Sequence, residues 1–208
     1  TQGAFLGLLV GAVAFAAVRL AGPRITGVLA ALVVLCVAAA PLAPRLVPPV
    51  DQLARSAPYL SDSVFPRLFI WKSAARHIAE APLLGKGLNA SRLLSTNADR
   101  VLLPGKDGQG RLVEPIPLHP HSAVFQVWLE LGGVGALMLV LLLGALLACI
   151  PRLAVDRGPA AAGIAAVFTG LAIAGISYGI WQSWWLSALW LAAAFTAATL
   201  TPREEADP

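Results

Sequence analysis

The chain has 208 residues, of which 58% are hydrophobic and 12% charged, with a mean hydropathy of +0.76 and a formal net charge of +4. Soluble domains average about 25% charged residues, so this composition excludes an ordinary water-soluble domain and indicates a protein embedded in a lipid bilayer. Most of the basic residues lie in one polar segment between apolar runs and the others in short connections, which argues against nucleic acid as a partner. Met138 is the only Met and the chain begins within an apolar run, which indicates a piece of a longer protein.

Five apolar runs are predicted to be transmembrane helices, because about 20 apolar residues cross the hydrocarbon core and a helix satisfies their backbone groups. They cover residues 3–18, 25–44, 131–150, 159–180 and 183–200. The predicted fold is therefore an all-α polytopic membrane protein with about five transmembrane helices and a large external loop. Residues 1–44 hold two transmembrane helices, 45–122 the loop, 123–200 three transmembrane helices, and 201–208 a cytoplasmic tail.

The short connections between the runs predict the orientation. Basic residues follow the first, third and fifth runs, and the positive-inside rule assigns these ends to the cytoplasm. They are Arg19, Arg24, Arg152, Arg157 and Arg203. The connection at 178–185 has four aromatic residues, as expected at a membrane interface, and no Lys or Arg, which assigns it to the outer face. The loop at 45–122 is therefore predicted to be external.

The external loop is strongly basic. It carries ten of the fifteen basic residues of the chain and six acidic residues. The ten are Arg45, Arg55, Arg67, Lys72, Arg76, Lys86, Arg92, Arg100, Lys106 and Arg111. Such an excess indicates either attraction to anionic lipid headgroups or a site for an anionic, lipid-linked substrate.

An amphipathic helix is predicted in the loop near residues 66–80, with Pro66 at its first position. One face carries Trp71 and apolar residues, and Lys72 and Arg76 lie on another. Such a helix is expected to lie on the membrane surface with its tryptophan directed inward. Residues 106–110, rich in glycine and charge, are expected to form a mobile tip.

A polar stripe follows the histidine pair His119 and His121. Ser122, Gln126 and Glu130 recur at four-residue spacing and share one face of the next helix. Glu130 is the only acidic residue in or next to an apolar run, which favours either a functional carboxylate or one that marks the membrane interface.

Two side chains are candidates for chemistry. His121 exchanges a proton near neutral pH, which suits a general base acting on a sugar hydroxyl, although a loop histidine is also ordinary polar surface. The planar guanidinium of Arg67 suits a diphosphate, as do the other loop cations. For a metal, His77 and Glu114 are the only further ligands for the His-x-His pair, so no metal site is expected.

Three segments carry a resemblance to a known family. PRLFIW at 66–71, APLLGKG at 81–87 and HPHSAVFQVWLELG at 119–132 resemble the two halves of the external loop of the O-antigen ligase and polymerase family. The resemblance implies a membrane-embedded glycosyltransferase of the bacterial inner membrane, with its loop in the periplasm. It further implies a polyprenyl-diphosphate-linked glycan as donor, a saccharide such as lipid A-core as acceptor, membrane lipids as surroundings, and no cofactor.

The resemblance also implies roles for particular residues. Arg67 is expected to contact the diphosphate and His121 to activate the acceptor hydroxyl, which makes them the candidate catalytic pair. Substrate binding is assigned to Arg67 together with a set of further polar side chains. These are Arg76, His119, Ser122, Gln126 and Glu130. Two positions depart from the family pattern, with Ser122 where Asn is common and Gln2 where Arg is frequent.

Three other functions compete with ligation. A polymerase of the same family needs the same chemistry and differs only in its acceptor. A transporter normally places ionisable groups within its spans, and these spans are nearly bare of charge apart from Glu130. A scaffold needs no particular His or Arg. Without further spans upstream, the chain alone is expected to be inactive.

Overall fold

The computed structural model describes residues 2–57, 59–61, 63–104 and 110–200. The helices are α1 (Gln2–Ala21), α2 (Ile25–Ala39), α3 (Ala43–Leu46), α4 (Val50–Ser56), α5 (Val64–Glu80), α6 (Ala123–Leu153), α7 (Arg157–Ile176) and α8 (Ser183–Leu200). Two short 3-10 turns, Ala90–Leu93 and Asn97–Asp99, precede a hairpin of β1 (Val101–Pro104) and β2 (Gly110–Val113). The described residues divide into a helical unit, 2–35 with 139–200, and a loop unit, Cys36–Met138.

Among the described residues, four helices are long and apolar enough to cross a membrane, namely α1, α6, α7 and α8. This confirms an all-α polytopic membrane protein. The helix expected over 25–44 is shorter, because α2 ends at Ala39 and α3 begins a separate turn. Pro41 and Pro44 lack the backbone N–H that a continuing helix requires, which explains the break. The 15 residues of α2 span about 22 Å, less than the ~30 Å hydrocarbon core.

Within the helical unit, α1 packs against α7 through glycines. A Cβ atom added to Gly11 would lie 2.1 Å from Oγ1 of Thr169, and one added to Gly7 would lie 2.7 Å from Cγ1 of Ile173. Glycines four residues apart let two helix backbones approach closely where lipid supplies no hydrophobic driving force. At the connection to α8, the ring of Tyr178 lies 4.6 Å from that of Trp184, within the predicted aromatic segment.

Within the loop unit, α5 is the central element. It begins at Val64, slightly before the predicted start, and its buried residues contribute to two apolar clusters. The first contains Ala74, Ala75, Ile78, Ile116, Phe125 and Leu129, with Trp71 and Trp128 packed against it. The second contains Val50, Phe65, Ile70, Leu103 and Val113. The apolar face of α5 therefore packs into the protein's own core, and the expectation that Trp71 points into the membrane is wrong.

The two short strands were not predicted. They pair antiparallel, with Val101 opposite Val113 and Leu103 opposite Arg111. Both are apolar segments flanking a glycine-rich stretch, a hairpin pattern hidden by their length of four residues each. The predicted tip at 106–110 lies outside the described residues apart from Gly110, and the predicted tail at 201–208 lies wholly outside them.

Candidate active site

The turn after α5 is bound to α6 by backbone hydrogen bonds on both sides of an interruption in that helix. At Gly132 the backbone leaves the helical conformation, with φ 63° and ψ −156°. Residues 86 and 87 donate to α6 before the interruption, and residues 133 and 134 donate back to the turn. The bonds join Lys86 N to Leu129 O (2.8 Å), Gly87 N to Glu130 O (3.0 Å), Gly133 N to Pro82 O (2.8 Å) and Val134 N to Leu83 O (3.2 Å). These bonds satisfy backbone groups that a broken helix otherwise leaves without partners.

Two glycines make this contact possible. Gly85 has φ 71° and Gly132 has φ 63°, a region that L-residues with a side chain rarely adopt. A Cβ atom on Gly85 would lie 2.5 Å from the carbonyl oxygen of Glu130, and one on Gly132 would lie 2.4 Å from that of Leu83. We refer to this backbone contact between residues 82–87 and 129–134 as the glycine interlock.

Glu130 lies at the interlock and has no exposed surface. Its carboxylate accepts hydrogen bonds from the backbone N–H of Asn89 (2.9 Å), the hydroxyl of Ser91 (2.6 Å) and the side-chain amide of Gln126 (3.1 Å). A buried carboxylate needs such donors to offset its desolvation. Glu130 therefore holds the 3-10 turn that contains Ser91 against α6.

The polar stripe predicted to bind substrate is thus turned into the protein. Ser122 and Gln126 are 3% and 2% exposed, and Glu130 is fully enclosed. These three side chains share a face, as their spacing predicted, but that face is buried against the loop. In this structure the three side chains contribute to the packing of the loop against α6, and their assignment to substrate binding stays a prediction.

A direct bond joins α5 to the histidine segment. The indole N–H of Trp71 donates to the carbonyl oxygen of Pro120 at 2.9 Å. The Trp71 ring also stacks on Phe125, with ring centroids 5.6 Å apart and planes inclined by 11°. Because Pro120 is fully buried and lies between His119 and His121, Trp71 fixes the backbone from which both imidazoles project.

The two histidines are themselves in contact. The backbone N–H of His121 donates to Nδ1 of His119 at 3.2 Å, and the rings meet edge to face with centroids 4.5 Å apart. His121 has φ 51°, a left-handed conformation that few residues with a side chain adopt. Strained backbone of this kind, held in place by buried neighbours, is frequent at functional sites.

The environment of His119 sets its protonation. Burial, followed by the charges of His121 and Arg92, lowers the pKa of His119 from 6.5 to about 4. His119 is therefore neutral near pH 7. Since Nδ1 accepts the bond from His121, the proton of the neutral ring is assigned to Nε2. His119 is then a hydrogen-bond donor rather than a base.

The two candidate arginines lie on opposite faces of α5. Arg67 precedes Trp71 by four residues, about 40° around the helix, and therefore shares its face. Nη1 of Arg67 donates to the carbonyl oxygen of Ser63 at 2.8 Å. Arg76 lies about 180° from Arg67 around the helix and donates to the hydroxyl of Ser73 at 3.1 Å. Arg67 thus belongs to the side of α5 that meets the histidine segment, and Arg76 does not.

The site combines a histidine pair, which can take part in proton transfer, with the guanidinium group of Arg67, which can bind an anion. Within the described ranges, no group of three or more His, Cys, Asp or Glu side chains is arranged to hold a metal ion. The residues that sequence reasoning missed are Trp71 as a hydrogen-bond donor and Ser91 as a partner of Glu130. The sequence contains a signal for Trp71, because its four-residue spacing from Arg67 puts both on one face of the helix. No sequence pattern identifies Ser91.

A model of the O-antigen ligase family matches residues 1–140. The chain belongs to the O-antigen ligase family. Three curated relatives are each named “Putative polysaccharide ligase”. The protein of Rickettsia conorii is 32% identical over 190 residues, covering 90% of this chain and 44% of the relative. Those of Rickettsia prowazekii and Rickettsia bellii are 35% and 36% identical over 154 and 127 residues, covering 72% and 60% of this chain.

The chain spans less than half the length of these relatives, between 30% and 44% of each. No solved structure is significantly similar to it. The family match ends at residue 140 and so includes α5, the glycine interlock and the histidine segment. The part of the chain with the candidate site is therefore the part that identifies the family.

Proposed function

We propose that this ligase-family protein transfers a glycan from a polyprenyl diphosphate to a hydroxyl group of a saccharide acceptor, of the lipid A-core type, at the periplasmic face of the bacterial inner membrane. The bond from Trp71 to the Pro120 carbonyl carries the proposal. It joins the two segments in which the family resemblance lies, and it places the face of α5 that bears Arg67 beside the histidine segment. The names of the relatives support ligation over polymerisation.

In the proposed reaction His121 is the general base. It removes the proton from the acceptor hydroxyl as that oxygen forms a bond to the anomeric carbon of the glycan, while the bond from this carbon to the diphosphate oxygen breaks. The electron pair of the broken bond leaves with the polyprenyl diphosphate. Arg67 holds the growing negative charge of that leaving group through its planar set of N–H donors.

His119 has a supporting role in this scheme. Its low pKa, about 4, keeps it neutral, so it adds no positive charge that would discourage His121 from taking up a proton. Its Nδ1 holds the backbone N–H of His121 and so contributes to the orientation of the general base.

The test is glycan transfer by the full-length protein carrying His121→Ala or Arg67→Ala, measured in a host that lacks the native ligase. Loss of a positioned general base should reduce transfer by about 10²–10⁴-fold. Loss of the group that stabilises the leaving diphosphate should reduce it by about 10²–10³-fold. The amount of protein in the membrane is measured alongside, because only normally inserted variants report on chemistry.

Matched controls exist in the same loop. His77→Ala removes a histidine that pairs with Glu80 at the end of α5, and Arg55→Ala removes an exposed arginine paired with Asp51. Both variants should transfer glycan like the parent. If His121→Ala and Arg67→Ala also did so at normal membrane levels, the assignment of the site would be wrong and a transporter or scaffold would gain support.

A further inference from the structure

An open cleft of about 690 Å³ lies in the loop unit, on the face of α5 that is turned away from Arg67. Its walls come from α5, the α3 and α4 segments and β1. Arg45, Lys72 and Arg76 supply positive charge to this cleft, and Phe69 and Leu102 supply apolar surface. The three cations come from two separate elements, so the fold gathers them around one space.

The charge of the cleft is net positive. Asp51 also lines it, but that carboxylate is paired at 2.9 Å with Arg55. Lys72 is fixed in the wall, because its ammonium group donates to the backbone carbonyls of Val47 and of Pro48. Arg45 and Arg76 are exposed side chains at the opening. Two exposed guanidinium groups beside a fixed ammonium group suit a phosphate, which accepts charge-assisted hydrogen bonds from several donors.

Apolar residues also lie near the cleft, at the end of α2 and on β1. Arg45 follows Ala39, the last residue of the apolar helix α2, by six residues, so the two lie within about 20 Å of each other. Leu102 remains 64% exposed although it is a large apolar side chain. Positive charge beside exposed apolar surface fits a ligand with a phosphate and an acyl chain better than a soluble anion.

We propose that this cleft binds the headgroup of an anionic membrane phospholipid, with its phosphate between Arg45 and Arg76 and its first acyl methylenes against Phe69 and Leu102. The site is separate from the proposed transfer reaction, because Arg76 and Arg67 lie about 180° apart around α5. Its occupant would tie α5 and the start of the loop to the membrane surface.

The experiment is a thermal-unfolding titration of the full-length protein in zwitterionic detergent with phosphatidylglycerol, from which an apparent Kd follows by mass action. Phosphatidylglycerol should raise the unfolding temperature saturably, and phosphatidylcholine should not. Arg45→Gln combined with Arg76→Gln should weaken the apparent Kd at least about tenfold, because each loses a charge-assisted hydrogen bond. Both side chains are exposed, so the variants should fold, and the two single variants should each show part of the loss.

A control with the same change in charge is Arg100→Gln combined with Arg111→Gln, two loop residues that do not line the cleft. It should bind phosphatidylglycerol within about twofold of the parent. An equal loss in this control, or unchanged binding in the Arg45 and Arg76 variant, would overturn the site. Stabilisation by glycerol 1-phosphate alone would overturn a lipid as occupant. Displacement of phosphatidylglycerol by polyprenyl diphosphate would assign the cleft to the donor instead.

Discussion

Three hydrogen bonds to Glu130 illustrate how one side chain organises the candidate site. The carboxylate is completely enclosed, and Asn89, Ser91 and Gln126 each donate to it. None of these donors is charged, so the stability of the arrangement depends on all three bonds being made together. Glu130 therefore maintains the shape of the loop beside the histidine segment.

Replacing Glu130 with alanine should destabilise the protein by on the order of 3–5 kcal/mol, because the buried side chains of Ser91 and Gln126 and the backbone N–H of Asn89 lose their acceptor. Glu130→Gln keeps the shape but supplies one acceptor oxygen where the carboxylate supplied two, so its cost should be smaller. The measurement is the fraction of detergent-solubilised protein that remains folded after heating. Glu114→Ala is the control, since it removes a carboxylate paired with the partly exposed Arg100, and it should cost less than about 1 kcal/mol.

At the scale of single residues, the sequence predicts which side chains share a helix face but not what that face contacts. The spacing of Ser122, Gln126 and Glu130 correctly puts them on one face of a helix. Whether that face meets substrate or protein depends on the position of Asn89 and Ser91, some 40 residues earlier in the chain, and no local pattern encodes it. The proposed roles of Arg67 and His121 stay predictions, because they concern substrates that only an activity measurement can reveal.

Among the secondary-structure elements, α6 shows how a local break in a helix depends on a contact with a distant segment. Its apolar run predicts a span, and its interruption at Gly132 occurs where the turn after α5 supplies replacement hydrogen bonds. A glycine within an apolar helix is common in membranes, so the residue type alone does not predict an interruption. The APLLGKG segment is the necessary partner, and it is distant in sequence.

Gly132→Ala should disrupt this contact. A Cβ atom there would lie 2.4 Å from a backbone oxygen, and the left-handed φ of 63° is itself unfavourable for alanine. We expect a large loss of folded protein in the membrane and of thermal stability. Gly144→Ala is the matched control in the same helix, since nothing lies within 4 Å of its added methyl group.

That control should be neutral or stabilising by up to ~1 kcal/mol, because alanine is the better helix former. Equal behaviour of the two variants, measured by membrane level and heat resistance, would show that the interlock does not support the fold.

The same reasoning explains which elements the sequence could and could not predict. The long apolar helices and α5 follow from composition and periodicity, and their existence was predicted correctly. The early end of α2 was missed because a hydropathy average treats Pro41 and Pro44 as ordinary residues of an apolar run. The β1–β2 hairpin was missed because four-residue strands show too few alternations to establish a period of two.

For the molecule as a whole, orientation in the membrane is the property that rests on sequence alone. Arginines follow α1 and end α6, and Arg157 begins α7, which predicts a cytoplasmic location for these ends. With α2 counted as a crossing segment despite its 15 residues, the same rule predicts a periplasmic loop unit, as the proposed reaction requires. This orientation depends on charges flanking the spans rather than on any contact within the protein.

Cysteine labelling tests the orientation directly. In a background of Cys36→Ser and Cys149→Ser, Ala98→Cys places a thiol on the exposed loop and Val155→Cys places one between α6 and α7. A membrane-impermeant maleimide should label only the Ala98→Cys protein in intact spheroplasts, and both proteins after permeabilisation. Labelling of the Val155→Cys protein in intact spheroplasts would reverse the topology and place the proposed active site in the cytoplasm.

The glycine interlock has a further consequence for how the loop can be studied. Two of its four backbone bonds are donated by Gly133 and Val134, which belong to an apolar helix rather than to the polar segment. A water-soluble polypeptide containing only the polar segment would lose those partners, and with them the anchor of the turn after α5. The loop is therefore not expected to keep its native structure when it is separated from α6. Antibodies or inhibitors intended to recognise its native surface should be selected against the membrane-embedded protein.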